Sequence, residues 1–117
     1  MMRIPFDPSI SADQQFQVLL PERAVLTLTL RWNSRSGFWY MDVSAGSRSL
    51  QGIKVTPRWP LLLEHKALSP IEGNLIVLPL DKSARDLLQY DDLGSTWGLF
   101  WLSPEDVTRW EVGHGLG

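Results

Sequence analysis

The 117-residue chain has no cysteine, which excludes a disulfide framework, a thiolate metal site and a cysteine nucleophile together. Histidine is nearly absent as well, with only His65 and His114. Nucleophilic catalysis of the serine type needs a histidine beside a serine and a carboxylate. Neither histidine sits in such a context: His65 lies in LLLEHKAL, and His114 in the closing GHGLG. Glu64 beside His65 falls short of the three or four convergent ligands that a metal ion needs. No phosphate-cradling glycine loop or dinucleotide fingerprint is present. No apolar run approaches the ~20 residues of a membrane helix. The start, MMRIPFDPSISADQQ, lacks the unbroken apolar stretch of a signal peptide. These absences predict a soluble, non-secreted protein that is not an enzyme and holds no metal or cofactor. The adjacent Asp91-Asp92 pair reads as a solvated turn ahead of Gly94.

What is present is a chain for one domain, 44% hydrophobic and 21% charged, with six tryptophans. The formal net charge is −2, so there is no global attraction to nucleic acid or to an anionic membrane. The charge is unevenly placed. Between residues 31 and 58 lie Arg31, Arg35, Arg48, Lys54 and Arg58 against the single acid Asp42, a local net of +4. Two surfaces with different neighbours explain such asymmetry better than a catalytic site does.

Short apolar stretches of period two, separated by turn residues, run through the chain. They predict an all-β, mainly antiparallel fold: a small β-barrel or a sandwich with one or two short helical turns. Residues 15–20 place Phe16, Val18 and Leu20 on one face. Ala24, Leu26, Leu28, Leu30 and Trp32 alternate with Val25, Thr27, Thr29 and Arg31, the pattern of a half-buried strand. A third strand spans 37–43. In residues 48–55 the apolar phase shifts, which predicts a β-bulge at Gly52. Pro60 suits the start of a helical turn in WPLLL. NLIVLPL, residues 74–80, reads as a buried strand whose Pro79 marks an edge. Residues 81–92 fit a loop or a short helix equally. STWGLFWL, residues 95–102, is apolar on both faces and so makes a poor exposed edge; burial at the domain centre or in a subunit contact is expected. Ser103-Pro104-Glu105-Asp106 has the form of a capped helix start. The expected organisation is an N-terminal arm (1–13), a β-domain (14–102) and a C-terminal tail (103–117) with a short helix.

The stretch RWNSRSGFWY decides how the second and third strands pair. Setting Trp32 against Phe38 would place Leu28 opposite Asp42, an acid on the core face. Moving by one residue pairs Leu30 with Trp39, Leu28 with Met41 and Leu26 with Val43, because a one-residue slip inverts every side chain. The expected hairpin has a four-residue loop, residues 33–36, with Gly37 opposite Trp32. Trp32 and Trp39 then face the core. Arg31 beside Phe38, and Thr29 beside Tyr40, face outward, with a cation–π contact expected from Arg31 to Phe38. A partner-binding patch, or a layer of this chain covering the same face, fits that pattern equally well.

Read in order, LTLRWNSRSGFWYMDV, LQGIKVTP, the LLL turn, NLIVLPL and YDDLGSTWGLFWL resemble the baseplate plug proteins of a cyanophage and of many contractile-tailed phages. The matching residues are Leu30, Arg31, Trp32, Asn33, Gly37, Trp39, Asp42, Gly52, Ile53, Pro57, Leu62, Leu63, Asp91, Asp92, Leu93 and Gly94. The likeness spans about residues 14 to 102. Where the family pattern has Pro-Gly and then an acid before its Leu-Leu turn, this chain has Pro57-Arg58-Trp59. The tail 103–117 lies outside the pattern. The resemblance implies a virion structural protein, made in the host cytoplasm, that sits at the centre of the tail baseplate. It implies a plug that helps close the tail lumen above the spike. Its partners would be hub, spike and tail-tube-initiator subunits, with several copies around the tail axis and no membrane. Candidate subunit-interface residues are Arg31, Arg35, Phe38, Tyr40, Trp59, Phe100 and Trp101.

Two other readings fit parts of the sequence. In a small β-barrel that binds single-stranded nucleic acid, Phe38 and Tyr40 would stack on bases, while Arg31, Arg35, Arg48 and Lys54 hold phosphates; the net charge of −2 counts against it. A peptide-binding adaptor would instead add a strand at a sheet edge.

Overall fold

Alternation of apolar and polar side chains makes β3 (Val25–Asn33) a half-buried strand, with Leu26, Leu28 and Leu30 fully buried on one side. The computed structural model describes all residues except Glu22, Asp86, Leu87, Leu116 and Gly117, and the side chains of Lys66 and Ala67. β2 (Asp13–Leu19) and β4 (Phe38–Ala45) flank β3, and β5 (Arg48–Lys54) follows β4 in a four-stranded sheet of order β2-β3-β4-β5. A three-stranded sheet of order β1-β7-β6 is formed by Met2–Ile4, Trp97–Leu102 and Asn74–Pro79. All neighbours pair antiparallel. The two sheets make a sandwich and do not close, so of the two all-β architectures expected the sandwich is the one adopted.

The core lies between the sheets. Leu26, Leu28, Leu30, Trp39, Met41 and Val43 enter it from the larger sheet, and Ile4, Leu75, Val77, Trp97, Leu99 and Trp101 from the smaller. Each such side chain contributes roughly 1.5–3 kcal/mol on burial. β7 has apolar residues on both faces because both faces are covered. Behind it Ile76, Phe100 and Leu102 pack under Val107 and Trp110 of helix α1 (Pro104–Gly113). Of the two expectations for STWGLFWL, burial at the domain centre is what the chain itself shows.

Helix α1 starts as its sequence predicts. Ser103 Oγ accepts from Asp106 N at 3.1 Å, and Asp106 Oδ2 accepts from Ser103 N at 3.2 Å, a complete capping box with Pro104 in the first turn. The Met1 ammonium lies 2.8 Å from Asp106 Oδ2. That hydrogen bond, opposed by desolvation and helped by Ser103, holds the Asp106 carboxyl below its ordinary value. A carboxylate depressed in this way adds stability above its unfolded pKa, and the contribution is lost as pH falls through the folded value.

Three segments whose form the sequence left coarse or open take definite shape. Residues 1–13, expected as an arm, contribute β1, which pairs Met2 with Trp101 and Ile4 with Leu99, and they end at the first residue of β2. Of residues 81–92, those described form turns and no helix; Asp86 and Leu87 lie outside the described residues. In the closing GHGLG, Gly113 ends α1, and Leu116 and Gly117 lie outside the described residues.

The register of the β3–β4 hairpin also differs from expectation, by two residues. Trp32 pairs with Trp39, Leu30 with Met41, and Leu28 with Val43. A shift of two keeps every side chain on its face, so hydrophobic patterning is blind to it. The turn decides instead. Loop residues are 34–37, not 33–36, and Gly37 takes φ 74°, with its N–H donated to Asn33 O at 2.8 Å. Asn33 Oδ1 accepts from the N–H groups of Arg35 (3.0 Å) and Ser36 (3.1 Å), so the asparagine caps its own loop.

Glycine matters differently at Gly94. Its φ is 94°, and a Cβ there would lie 2.0 Å from Phe6 O, whereas a Cβ at Gly37 would meet nothing within 4 Å. Chemical denaturation should separate the two positions. Gly37→Ala should lose about 1–2 kcal/mol from backbone strain alone. Gly94→Ala should lose clearly more, because the N-terminal segment must also move.

Candidate subunit interface

The face of the four-stranded sheet turned away from the core is built row by row from the strand register. One row runs Asp13, Arg31, Tyr40 and Lys54, and the next runs Gln15, Thr29 and Asp42. Asp42 joins two elements. Its Oδ2 lies 2.5 Å from an Arg31 guanidinium nitrogen, and its Oδ1 accepts from Gly52 N at 2.9 Å. Gly52 has φ 69° and sits where the β4–β5 register shifts, between Met41 and Val43. The expected bulge is present, and its exposed N–H is met by an acid on the neighbouring strand.

The expected Arg31–Phe38 contact is absent, because the corrected register places Phe38 beside Asn33 and Tyr40 beside Arg31. Phe38 instead carries the Lys54 ammonium, 3.6 Å from its ring centroid. Tyr40 is half-buried, with its hydroxyl 3.3 Å from Ser36 Oγ. Arg35 projects from the loop fully exposed. Arg31, Trp32, Asn33, Arg35, Tyr40 and Gly52 line a shallow concavity of about 590 Å³ on this face.

The seven candidate residues thus fall into three places. Arg31, Arg35, Phe38 and Tyr40 share the hairpin end of the outer sheet face. Trp59, 40% exposed, packs edge-on against Trp110 at 5.3 Å, beside helix α1. Trp101 is a core residue, 5% exposed, whose indole N–H is donated to Glu72 O at 3.1 Å. Phe100 is half-buried in the small cluster under α1. The last two were chosen from a strand apolar on both sides; the helix that covers one side removes the reason for choosing them.

Sequence reasoning passed over the roles of Lys54, Asp42 and Trp110. The phase shift at Gly52 signals the bulge, but nothing local signals which acid holds it. His114, without an evident partner in the sequence, stacks on Trp110 at 4.0 Å, with Nδ1 2.7 Å from Trp110 O. Arg58 has φ 66°, the left-handed conformation that glycine adopts without strain, and its guanidinium lies 5.1 Å from the Trp97 ring centroid.

Chemically the outer face offers cations, two half-buried rings and hydrogen-bonding edges. Those groups can bind acidic or carbonyl-bearing surfaces; they do not form a nucleophile–base pair. Among the described residues no cluster of three or more His, Cys, Asp or Glu is placed to hold a metal ion, and no helix is long and apolar enough to cross a membrane. Equilibrium unfolding should rank the residues of the Asp42 junction. Asp42→Ala leaves Gly52 N–H without its charged acceptor and should lose about 1.5–3 kcal/mol, whereas Arg31→Ala, an exposed ion-pair partner, should lose at most ~1 kcal/mol.

Comparison with known families matches residues 1–105 of the chain to the family described as cyanophage baseplate Pam3 plug gp18. The match takes in β1 as well as the β-domain and ends in the first turn of α1. No curated protein matches the chain. The chain belongs to this baseplate plug family, whose place is the virion tail baseplate and whose role there is structural, in association with other baseplate proteins.

Proposed function

We propose that this plug protein acts by packing and not by turnover, helping to close the tail lumen above the spike while joining hub and tail-tube-initiator subunits. Several copies stand around the tail axis. The protein is made in the host cytoplasm and taken into the baseplate as it assembles. The observation that carries this reading is the outer sheet face, where Arg31, Arg35, Phe38 and Tyr40 come together and the two arginines are exposed among the described residues. Trp59 and Trp110 form a second aromatic surface beside α1. Two faces of different chemistry suit a part that sits between two kinds of subunit.

The nucleic-acid reading loses its platforms in this geometry. Phe38 already carries Lys54 on its ring, and Tyr40 is half-buried beside Ser36. Base stacking needs open aromatic faces.

Complementation of a phage lacking the chain tests the packing role. Arg31→Glu with Arg35→Glu should reduce incorporation into baseplates at least about tenfold, as expected when rim charges are reversed against a complementary surface. The purified variant should still unfold cooperatively near the wild-type midpoint. Wild-type incorporation of the variant would overturn the assignment of this face.

A further inference from the structure

Next to the Arg31 concavity at the end of the β3–β4 hairpin, and sharing Trp32 with it, lies a cleft of about 460 Å³, lined by Trp32, Gly37, Phe38, Gln89, Tyr90 and Asp91 among others. We infer that this cleft is an aromatic cage for one arginine side chain, presented by a neighbouring subunit. The cage stands on its own chemistry; the neighbouring subunit as the source rests on the packing role proposed above.

Two open rings, Trp32 and Tyr90, and one acid, Asp91, converge there, with Phe38, whose face Lys54 already covers, at the rim. Among the described residues the lining itself holds no basic side chain. Trp32 and Tyr90 meet at 78° with centroids 5.6 Å apart, forming a corner. The corner is held from beneath, because Trp39 stacks on Tyr90 at 5.3 Å and 18° and the Tyr90 hydroxyl is donated to Pro8 O at 2.6 Å. A cation entering a preformed corner loses little to reorganisation. The fold already seats cations on its rings, Lys54 on Phe38 at the rim of this cleft and Arg58 near Trp97 elsewhere.

The adjacent acids Asp91 and Asp92 have separate jobs, and this identifies the counter-charge. The Asp92 carboxylate builds the turn, accepting from Gln89 N and from Thr96 Oγ1, each at 2.9 Å. Asp91 contributes to that turn only its backbone carbonyl, which accepts from Ser95 Oγ. Among the described residues the Asp91 carboxylate takes no hydrogen bond or ion pair, and the side chain is exposed at the cleft. A planar guanidinium suits this arrangement better than an ammonium. It lies flat on a ring while its edge donates two parallel hydrogen bonds to a carboxylate.

The test follows the Trp32 indole N–H by NMR in the full chain while blocked arginine (N-acetyl-arginine methylamide) is titrated in. Blocked citrulline, the neutral isostere, is the control. Arginine should produce a saturable shift at Trp32, with citrulline about fivefold weaker or more, and Asp91→Asn should bring arginine to the level of citrulline. Equal responses to arginine and citrulline, or no saturable response, would overturn the cage. The source is read separately, from incorporation of Asp91→Lys into baseplates. A loss of incorporation with wild-type thermal stability supports a neighbour's arginine. Normal incorporation alongside intact arginine binding by the wild-type chain overturns that source and leaves the packing role untouched.

Discussion

The buried ring of Trp39 is the contact on which the functional end of the molecule depends. It is fully buried, with Phe6 at 5.3 Å, Trp32 at 5.6 Å and Tyr90 at 5.3 Å. Through these rings the segment after β1, the β3–β4 hairpin and the turn before β7 meet at one point. Among the described residues its indole N–H has no hydrogen-bond partner, a deficit of about 1–3 kcal/mol. Several aromatic contacts at roughly 0.5–1.5 kcal/mol each, added to the burial itself, outweigh it. Trp32 and Trp39 are cross-strand partners in the register that the Gly37 turn selects, and that register decides which side chains share the outer face.

From that register the rest follows in order. Arg31 comes within reach of Asp42, Asp42 meets the bulged N–H of Gly52, and the bulge carries β5 to the point where Lys54 lies over Phe38. At the same end of the hairpin, Tyr90 is positioned against Trp32 and brings Asp91 to the cleft. A basic surface and an acid-lined aromatic cleft therefore adjoin at a single hairpin. For a part that must pack between unlike neighbours, two recognition chemistries a few residues apart give orientation as well as attachment.

Much of this fold was legible in the chain, for physical reasons that differ by element. Period-two alternation identified the core faces of β3 and β4, and Ser103 with Asp106 announced the start of α1. The hairpin register was misjudged because hydrophobicity repeats every two residues and cannot see a two-residue slip; the glycine that settles it acts through backbone conformation. Trp101 was named a candidate for a subunit interface because a strand apolar on both faces does not say what covers each one. Phe100 was assigned with it, and its half-burial under α1 shows the helix to be the missing layer. Two of the glycines that carried the resemblance sit where backbone geometry is demanding, Gly94 against Phe6 O and Gly52 in the bulge. Arg58 is a further left-handed position, with φ 66°.

The most direct measurement is amide hydrogen exchange on the chain alone and on the chain within assembled baseplates. Packing through the hairpin end predicts new protection across residues 33–40 and 89–91 on assembly, where the loop and turn amides of the free chain exchange readily. Assembly that left those amides unprotected, and protected only α1 and the 3₁₀ turn at Leu63–Leu68, would contradict the account.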